Sequence, residues 1–401
     1  MQGVVKTRVL LFLLSLAVVP IGTYLLILFA KGYRPNLPDK KFNPTGLLVA
    51  TSTPDGAQVI IDSQVTSATN TTLNLDPGTY QVEIKKDGFQ PWKKSLLLKA
   101  EIVTRAQATL FPSVPSLKAT TNTGASFPTL APDGSKVAFV SGTKLFTLDL
   151  TESPLGLINR EPKLIVGLEN WKLKIENLTW SPDSRSVLAA ASSSAILINT
   201  QNSQVSTPLP TLLSSWQTQK QLQYQNRLLD LPPQLQEILS SSATDVTWSP
   251  NEKKILYTAT ASATLPDNLK DPLPGSSTQP QERQLSPGRI YVYDLEEDRN
   301  FAIDDVGPTP TSKPSKLSAN SYQPIANSGW AWLPDSYHLV KAKNKIITVK
   351  EYDNTNITQV YAGPMESDFL APYPSGRQIL ILTNLNPSLS SSPNLYALSL
   401  R

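Results

Sequence analysis

Cysteine is absent from the 401 residues, and histidine occurs once, as His338. Disulfides, thiolate nucleophiles, acylated lipoprotein cysteines and Cys/His metal cages are therefore excluded. Charged side chains are also scarce, at 17% of the chain against about a quarter in ordinary soluble domains. Ser, Thr, Asn, Gln and Pro take their place, a bias that suits short strands and turns rather than long amphipathic helices. No Gly-rich phosphate loop, Walker motif or calcium loop is written anywhere, so no cofactor is expected. The net charge of +4 is unevenly spread. Residues 1–41 hold six basic residues and one acid, leaving the remainder close to neutral. No basic stripe remains to neutralise phosphates, which argues against nucleic acid as a partner.

Val9 to Ala30 is a run of 22 residues without a charge. A membrane-spanning helix needs about 20, whereas the apolar part of a cleaved secretory signal has roughly 7–15. Phe29-Ala30-Lys31 is a poor cleavage site. The run reads as an uncleaved signal anchor at 9–30 in contact with membrane lipid, and Pro20 and Gly22 are tolerable within it. Lys6 and Arg8 precede the span, and Lys31, Arg34, Lys40 and Lys41 follow it. Flanking charge alone places the C-terminal part in the cytoplasm. A short charged N-terminus ahead of a first apolar span acts as an export signal, however, and this predicts a single-pass protein with residues 1–8 cytoplasmic and the rest outside. Residues 31–44 read as a juxtamembrane linker.

From Gly46 the apolar pattern changes to period two. Strands are predicted on both sides of turns at Pro54-Asp55-Gly56 and Pro77-Gly78, with a further turn at Asp87-Gly88. Pro54-Asp55-Gly56-Ala57, Pro77-Gly78-x-Tyr80 and Gly88-Phe89-x-x-Trp92 give residues 45–112 a resemblance to the PEGA domain family. That resemblance implies a small β-sandwich-like module found on envelope proteins, with no catalytic residues of its own. Phe89 and Trp92 could form an aromatic platform for glycan, or close one end of the module's core.

Beyond residue 112 one phrase recurs five times: FPTLAPDGSKVAFVS (127–141), LTWSPDSRSVLAAAS (178–192), VTWSPNEKKILYTAT (246–260), WAWLPDSYHLVKAK (330–343) and DFLAPYPSGRQILIL (368–382). Each copy reads as a strand, a proline-led turn and a second strand. A third strand follows each time, as in KLFTLDL (144–150) and RIYVYDL (289–295), and fourth strands are predicted in EPKLIVG (161–167), NFAI (300–303) and ITQVYAG (357–363). Four strands per unit is the signature of propeller blades. The predicted fold is all-β: a transmembrane helix, a small PEGA-like domain, then a five-bladed propeller over 113–401, with six blades as the alternative. SLKATTN (116–122) is expected to pair with the final strand and close the ring. The copies resemble the repeats of TolB-type propellers, a similarity that speaks to fold rather than activity. Three insertions interrupt the blades. Residues 201–243 contain Asp230-Leu231-Pro232-Pro233 ahead of a short helix, while 261–288 and 304–325 read as Pro/Ser/Thr-rich loops.

Chemistry is sparse. His338, needed for any Ser-His-acid triad, falls where other copies carry Lys136, Ser186, Lys254 and Gln378, an ordinary surface position. Trp180, Trp248, Trp330 and Trp332 sit on first strands and read as packing between blades rather than ligand stacking. Glu176, Asp245 and Asp368 stand near the starts of innermost strands, where paired carboxylates could hydrolyse a glycosidic bond. The favoured expectation is a non-catalytic, membrane-anchored envelope protein that binds or scaffolds cell-wall glycan or other envelope proteins. A carbohydrate-active propeller using those three carboxylates is the alternative.

Overall fold

The computed structural model describes residues 2–30, 32–36, 41–151, 161–169, 175–192, 194–271, 273, 275–305, 329–385 and 392–401. The chain divides into two compact units.

The first unit comprises Met1–Asp87, Pro91–Leu110 and Leu273–Gln279. Helix α1 runs Gln2–Ala30 and continues through Pro20. Its Phe12–Ala30 stretch is long and apolar enough to cross a membrane, and none of it is buried against protein. The expected linker at 31–44 contains a paired hairpin, Tyr33–Asn36 against Lys41–Pro44. Two sheets follow. Gly46–Thr53 is central in one, antiparallel to Thr71–Leu75 and parallel to Val103–Thr109. The other orders Gln64–Ala68, Gln58–Ile61, Gly78–Lys85 and Trp92–Leu98. Alternate residues are buried along Gly46–Thr53, Trp92–Leu98 and Val103–Thr109, as expected of strands with one face on a core. Leu48, Val59, Ile84, Leu98 and Ala106 form that core. The predicted turn at Pro54-Asp55-Gly56 is present, with Gly56 at φ +66°, a conformation glycine adopts without penalty.

The domain boundary read from the sequence needs one revision. Leu273–Gln279 lies inside the insertion at 261–288 but belongs to the first unit. Gln279 Nε2 donates to the Ser95 carbonyl at 2.7 Å, and Leu97 N–H donates to Thr278 Oγ1 at 3.3 Å. Gly275 comes so close to the Val103 carbonyl that an added Cβ would lie 2.6 Å from it. The segment is thus a strap along Trp92–Leu98 rather than a solvated loop.

The second unit is an antiparallel β-propeller. Its described residues hold five four-stranded sheets. The first is Ser126–Leu130, Lys136–Ser141, Lys144–Asp149 and Lys163–Gly167, paired in chain order. The second is Asn177–Trp180, Ser186–Ala190, Ala195–Asn199 and the short Val205–Ser206. Ala243–Trp248, Lys254–Ala259, Arg289–Asp294 and Arg299–Asp305 make the third. The fourth is Trp330–Trp332, His338–Lys343, Ile346–Glu351 and Thr358–Ala362. In the fifth, Leu370–Pro372, Gln378–Thr383 and Asn394–Ser399 are completed by Leu117–Ala119 from the start of the unit. That pairing is the closure expected of 116–122. Asn394 Oδ1 reinforces it by accepting from Gly124 N–H at 2.9 Å, and Thr121 Oγ1 accepts from Leu395 N–H at 2.9 Å.

Packing between sheets follows from strand alternation, which turns apolar residues of one strand face toward the neighbouring sheet. Leu145, Ile165, Trp180 and Val187 join the first sheet to the second. Val137 and Leu148 join the first to Leu380 and Leu395 of the fifth. Ile347 and Val349 of the fourth meet Ile379 and Leu398 of the fifth. In the third sheet Leu256, Ile290 and Val292 face Leu339 of the fourth. Its other face carries Ile255, Tyr257, Tyr291 and Tyr293 and is covered by two helices from the insertion at 201–243. Helix α2 spans Leu212–Leu229 and α3 spans Pro233–Ser241. Pro233 opens α3, as its missing N–H allows. Residues 306–325, most of the third insertion, lie outside the described residues.

Candidate functional site

The recurring phrase builds one corner five times. Its first strand ends in a residue whose N–H bonds the carbonyl at the start of the second strand: Ala131 to Lys136, Ser181 to Ser186, Ser249 to Lys254, Leu333 to His338 and Tyr373 to Gln378. The turn's last residue takes a left-handed conformation in every copy, at Gly134, Ser184, Glu252, Ser336 and Gly376. Where the phrase reads Ser-Pro-Asp/Asn, the serine hydroxyl donates to the third residue's side chain. Ser181 Oγ lies 2.5 Å from Asp183 Oδ1, and Ser249 Oγ lies 2.8 Å from Asn251 Oδ1. The same hydroxyl accepts the second strand's first N–H, from Ser186 and Lys254, at 2.9 Å. Adjacent corners are also tied, since Ser184 Oγ accepts from Asp133 N–H at 3.1 Å and Ser336 Oγ accepts from Asn251 N–H at 3.0 Å. In the Ser-Pro-Asp/Asn copies the serine hydroxyl and the Asp or Asn Oδ1 hold the turn itself.

The five corners converge on one cavity of about 1190 Å³. Pro132, Pro182, Pro250, Pro334 and Pro374, one from each phrase, line it with their apolar rings. Trp248 and Trp332 add aromatic wall, and α2 contributes Lys220, Gln223, Tyr224, Asn226 and Arg227. The stripe Trp216, Lys220, Tyr224, Leu228 recurs every four residues and so occupies one face of α2, with Trp216 and Leu228 buried. Arg227 lies over the Trp248 ring at 5.4 Å and pairs with Glu252 at 2.9 Å, while Tyr224 meets the same ring edge-on. The carboxylates in the wall, Asp133 and Asp183, each receive two bonds at Oδ1 within their own turns.

The residues singled out from the sequence fall elsewhere or take other roles. Glu176, Asp245 and Asp368 do not line the cavity. Glu176 is exposed and accepts from Ser192 Oγ at 2.6 Å, Asp245 sits at a strand irregularity with φ +54°, and Asp368 is exposed. Trp92 is 2% exposed, so it fills the core of its sheet and offers no face to glycan. Phe89 is half-buried and bridges to Pro112 through its backbone. His338 corrects the surface expectation. It is 1% exposed, against Phe111 and Tyr337, with Nδ1 2.8 Å from Asp335 Oδ2. Burial opposes the Asp335 charge most strongly, yet the bond and charge of His338 and two backbone N–H groups hold its carboxyl below the usual range. Trp180 and Trp330 are buried as packing residues, their indole N–H groups donating to the Thr129 carbonyl at 2.9 Å and to Asp304 at 3.0 Å. Trp248 and Trp332 line the cavity instead. Among the described residues no cluster of three His, Asp or Glu side chains could hold a metal.

Comparison with known proteins bears on the first unit most directly. Residues 45–113 match the PEGA domain. That match agrees with the turns quoted from the sequence and extends the resemblance by one residue. No curated protein matches the chain. Solved structures similar to it include TolB from Acinetobacter baumannii, at 14% identity over 80% of this chain and 60% of that one, with a TM-score of 0.22. The Cps50 (Swd1) β-propeller domain of Myceliophteria thermophila aligns at 10% identity over 72% of this chain and all of its own, with a TM-score of 0.31. A gluconolactonase from Xanthomonas campestris aligns at 8% identity over 72% and 90% of the two chains, with a TM-score of 0.30. Likenesses this distant carry nothing about activity, and the chain spans only 60% of the Acinetobacter protein.

Buried titratable groups in the propeller predict a peaked pH profile of stability. Burial lowers Lys220 to about 7 and Lys350 to about 8, the latter partly offset by Asp304. Unfolded lysine holds its proton to about 10.4, so between pH 7 and 10 the unfolded chain binds more protons and stability rises with pH. Above pH 10 the sign reverses. Burial raises Tyr257, Tyr293, Tyr337 and Tyr352, so the unfolded tyrosines ionise first and the native state loses ground. Urea titrations from pH 6 to 11 should show a maximum near pH 10, and a profile flat across pH 7–10 would contradict the assignment.

Proposed function

We propose that this is a membrane-anchored, non-catalytic envelope protein whose propeller binds or scaffolds partners, either cell-wall glycan or other envelope proteins. The observation that carries the reading is the cavity, because each of the five phrases presents a proline ring to it, two of them add tryptophan, and the Ser-Pro-Asp/Asn copies use their polar side chains to hold the turn. Such a mostly apolar concavity with a few convergent polar groups suits recognition. The hydrolase alternative called on Glu176, Asp245 and Asp368, and none of them reaches the cavity wall. The apolar helix α1 ahead of a PEGA domain supports an anchored form with the C-terminal part outside.

Protease added to intact cells carrying the full chain should release peptides from residues 45–401 without lysis. Cross-linking on the same cells should then recover an envelope partner. Release only after lysis would place the propeller in the cytoplasm and remove the reading.

A further inference from the structure

We propose that the edge of the PEGA domain at Trp92–Leu98 is a strand-addition surface for a second copy of this chain, and that the strap at Leu273–Gln279 holds it closed. Trp92–Leu98 ends one sheet and Val103–Thr109 ends the other, and the two end strands lie beside each other. An end strand presents a row of backbone N–H and C=O groups on its outer side, a template for pairing with another chain. The strap crosses both end strands. Gly275, at φ +79°, passes so close to the Val103 carbonyl that an added Cβ would lie 2.6 Å from it. Thr278 Oγ1 accepts from Leu97 N–H at 3.3 Å, and Gln279 Nε2 donates to the Ser95 carbonyl at 2.7 Å. A carbonyl and an N–H two residues apart on one side of a strand are groups that a neighbouring strand engages. Two side chains of the strap therefore stand in for strand backbone, and Gln279 is only 8% exposed.

The cover is incomplete, and what it leaves open points to the occupant. Leu97 and Val103, one on each end strand, stay exposed beneath the strap. A strand laid along Trp92–Leu98 would pair backbone to backbone at Ser95 and Leu97 and shelter apolar surface as well. A second copy supplies such a strand in a self-complementary register. Antiparallel pairing about Ser95 is two-fold symmetric, so each copy gives and receives the same contacts. It sets Lys93 opposite Leu97, Lys94 opposite Leu96 and Trp92 opposite Leu98. No like charges face each other directly, the arrangement that would oppose pairing. Strand addition of this kind draws its affinity from main-chain hydrogen bonds, the groups that Thr278 and Gln279 now occupy.

The test uses the full chain in detergent. Thr278→Val with Gln279→Ala removes both strap bonds, and light scattering should then record twice the parent's protein mass. Adding Ser95→Pro should return the mass to the parent's value, because proline is tolerated on an end strand but lacks the N–H that pairing needs. Ser95→Cys locates the contact on a background with no other cysteine. Directly opposed residues of a hydrogen-bonded antiparallel pair lie about 5.5 Å apart at Cα, within disulfide reach. With oxidised glutathione, the Ser95→Cys protein should form at least tenfold more cross-linked dimer when the strap substitutions are present. Circular dichroism melts should match the parent; if the double substitution lowers the melt, the same readings are taken on Thr278→Val alone. Unchanged mass in the strap variant leaves the edge to another protein's strand or to solvent and overturns the inference. So does a doubled mass that survives Ser95→Pro, or equal cross-linking with and without the strap substitutions. No cavity residue is involved, so failure here leaves the envelope reading standing.

Discussion

Deletion of residues 394–401 is expected to leave the propeller unfolded. The segment carries Leu395, Leu398 and Leu400, each with 0% exposure. They belong to the clusters that tie the fifth sheet to the fourth and to the first. Loss of one buried leucine side chain typically costs about 2–5 kcal/mol. Three such losses approach or exceed the roughly 5–15 kcal/mol that holds an entire domain folded. The deletion also strips Leu117–Ala119 of its partner strand and opens two sheet edges. Circular dichroism should show no cooperative melt for residues of the propeller, and protease should degrade it at room temperature. A cooperative transition within a few degrees of the full chain would show that closure contributes little.

Trp180→Ala is the largest single substitution expected. The side chain is fully buried between the first and second sheets. Its indole N–H donates to the Thr129 carbonyl at 2.9 Å. Truncating a buried tryptophan costs about 3–5 kcal/mol, and the carbonyl left without its donor adds about 1 kcal/mol or more. At roughly 2–4 °C per kcal/mol for a domain of this size, calorimetry should record a fall of about 10 °C or more. Trp180→Phe keeps most of the volume and should lose far less. Equal losses for the two substitutions would mean that packing is not what the residue supplies.

Where the sequence was legible, the signal was periodic and local. Alternating apolar residues marked the strands, and proline followed by Asp, Asn or Gly marked the turns, because both patterns reflect contacts made within one sheet. The closing strand could be anticipated because each unit needs four strands. The cavity was harder to see. Trp180, Trp248 and Trp332 occupy one register, each two residues ahead of the turn proline, yet Trp180 is fully buried while the other two face the cavity. Identical positions in sequence meet different neighbours, and α2 is one such neighbour. Its stripe at 216, 220, 224 and 228 is interrupted by Lys220, so an apolar pattern does not reveal it. A search for any large residue at spacing four would have found it. His338 misled for a related reason: a polar ring is buried when a carboxylate three residues earlier and an aromatic edge from Phe111 complete its surroundings. Phe111 lies 227 positions away in the chain, and no local pattern reports it.

The strap at Leu273–Gln279 changes what it means to separate the two units. The backbone leaves the propeller in the middle of its third sheet, lies along a PEGA strand, and returns. A cut near residue 110 would leave Leu273–Gln279, part of the first unit, on the same fragment as the second. A gene fragment beginning at residue 113 would carry seven residues that lack the strand they were shaped to meet.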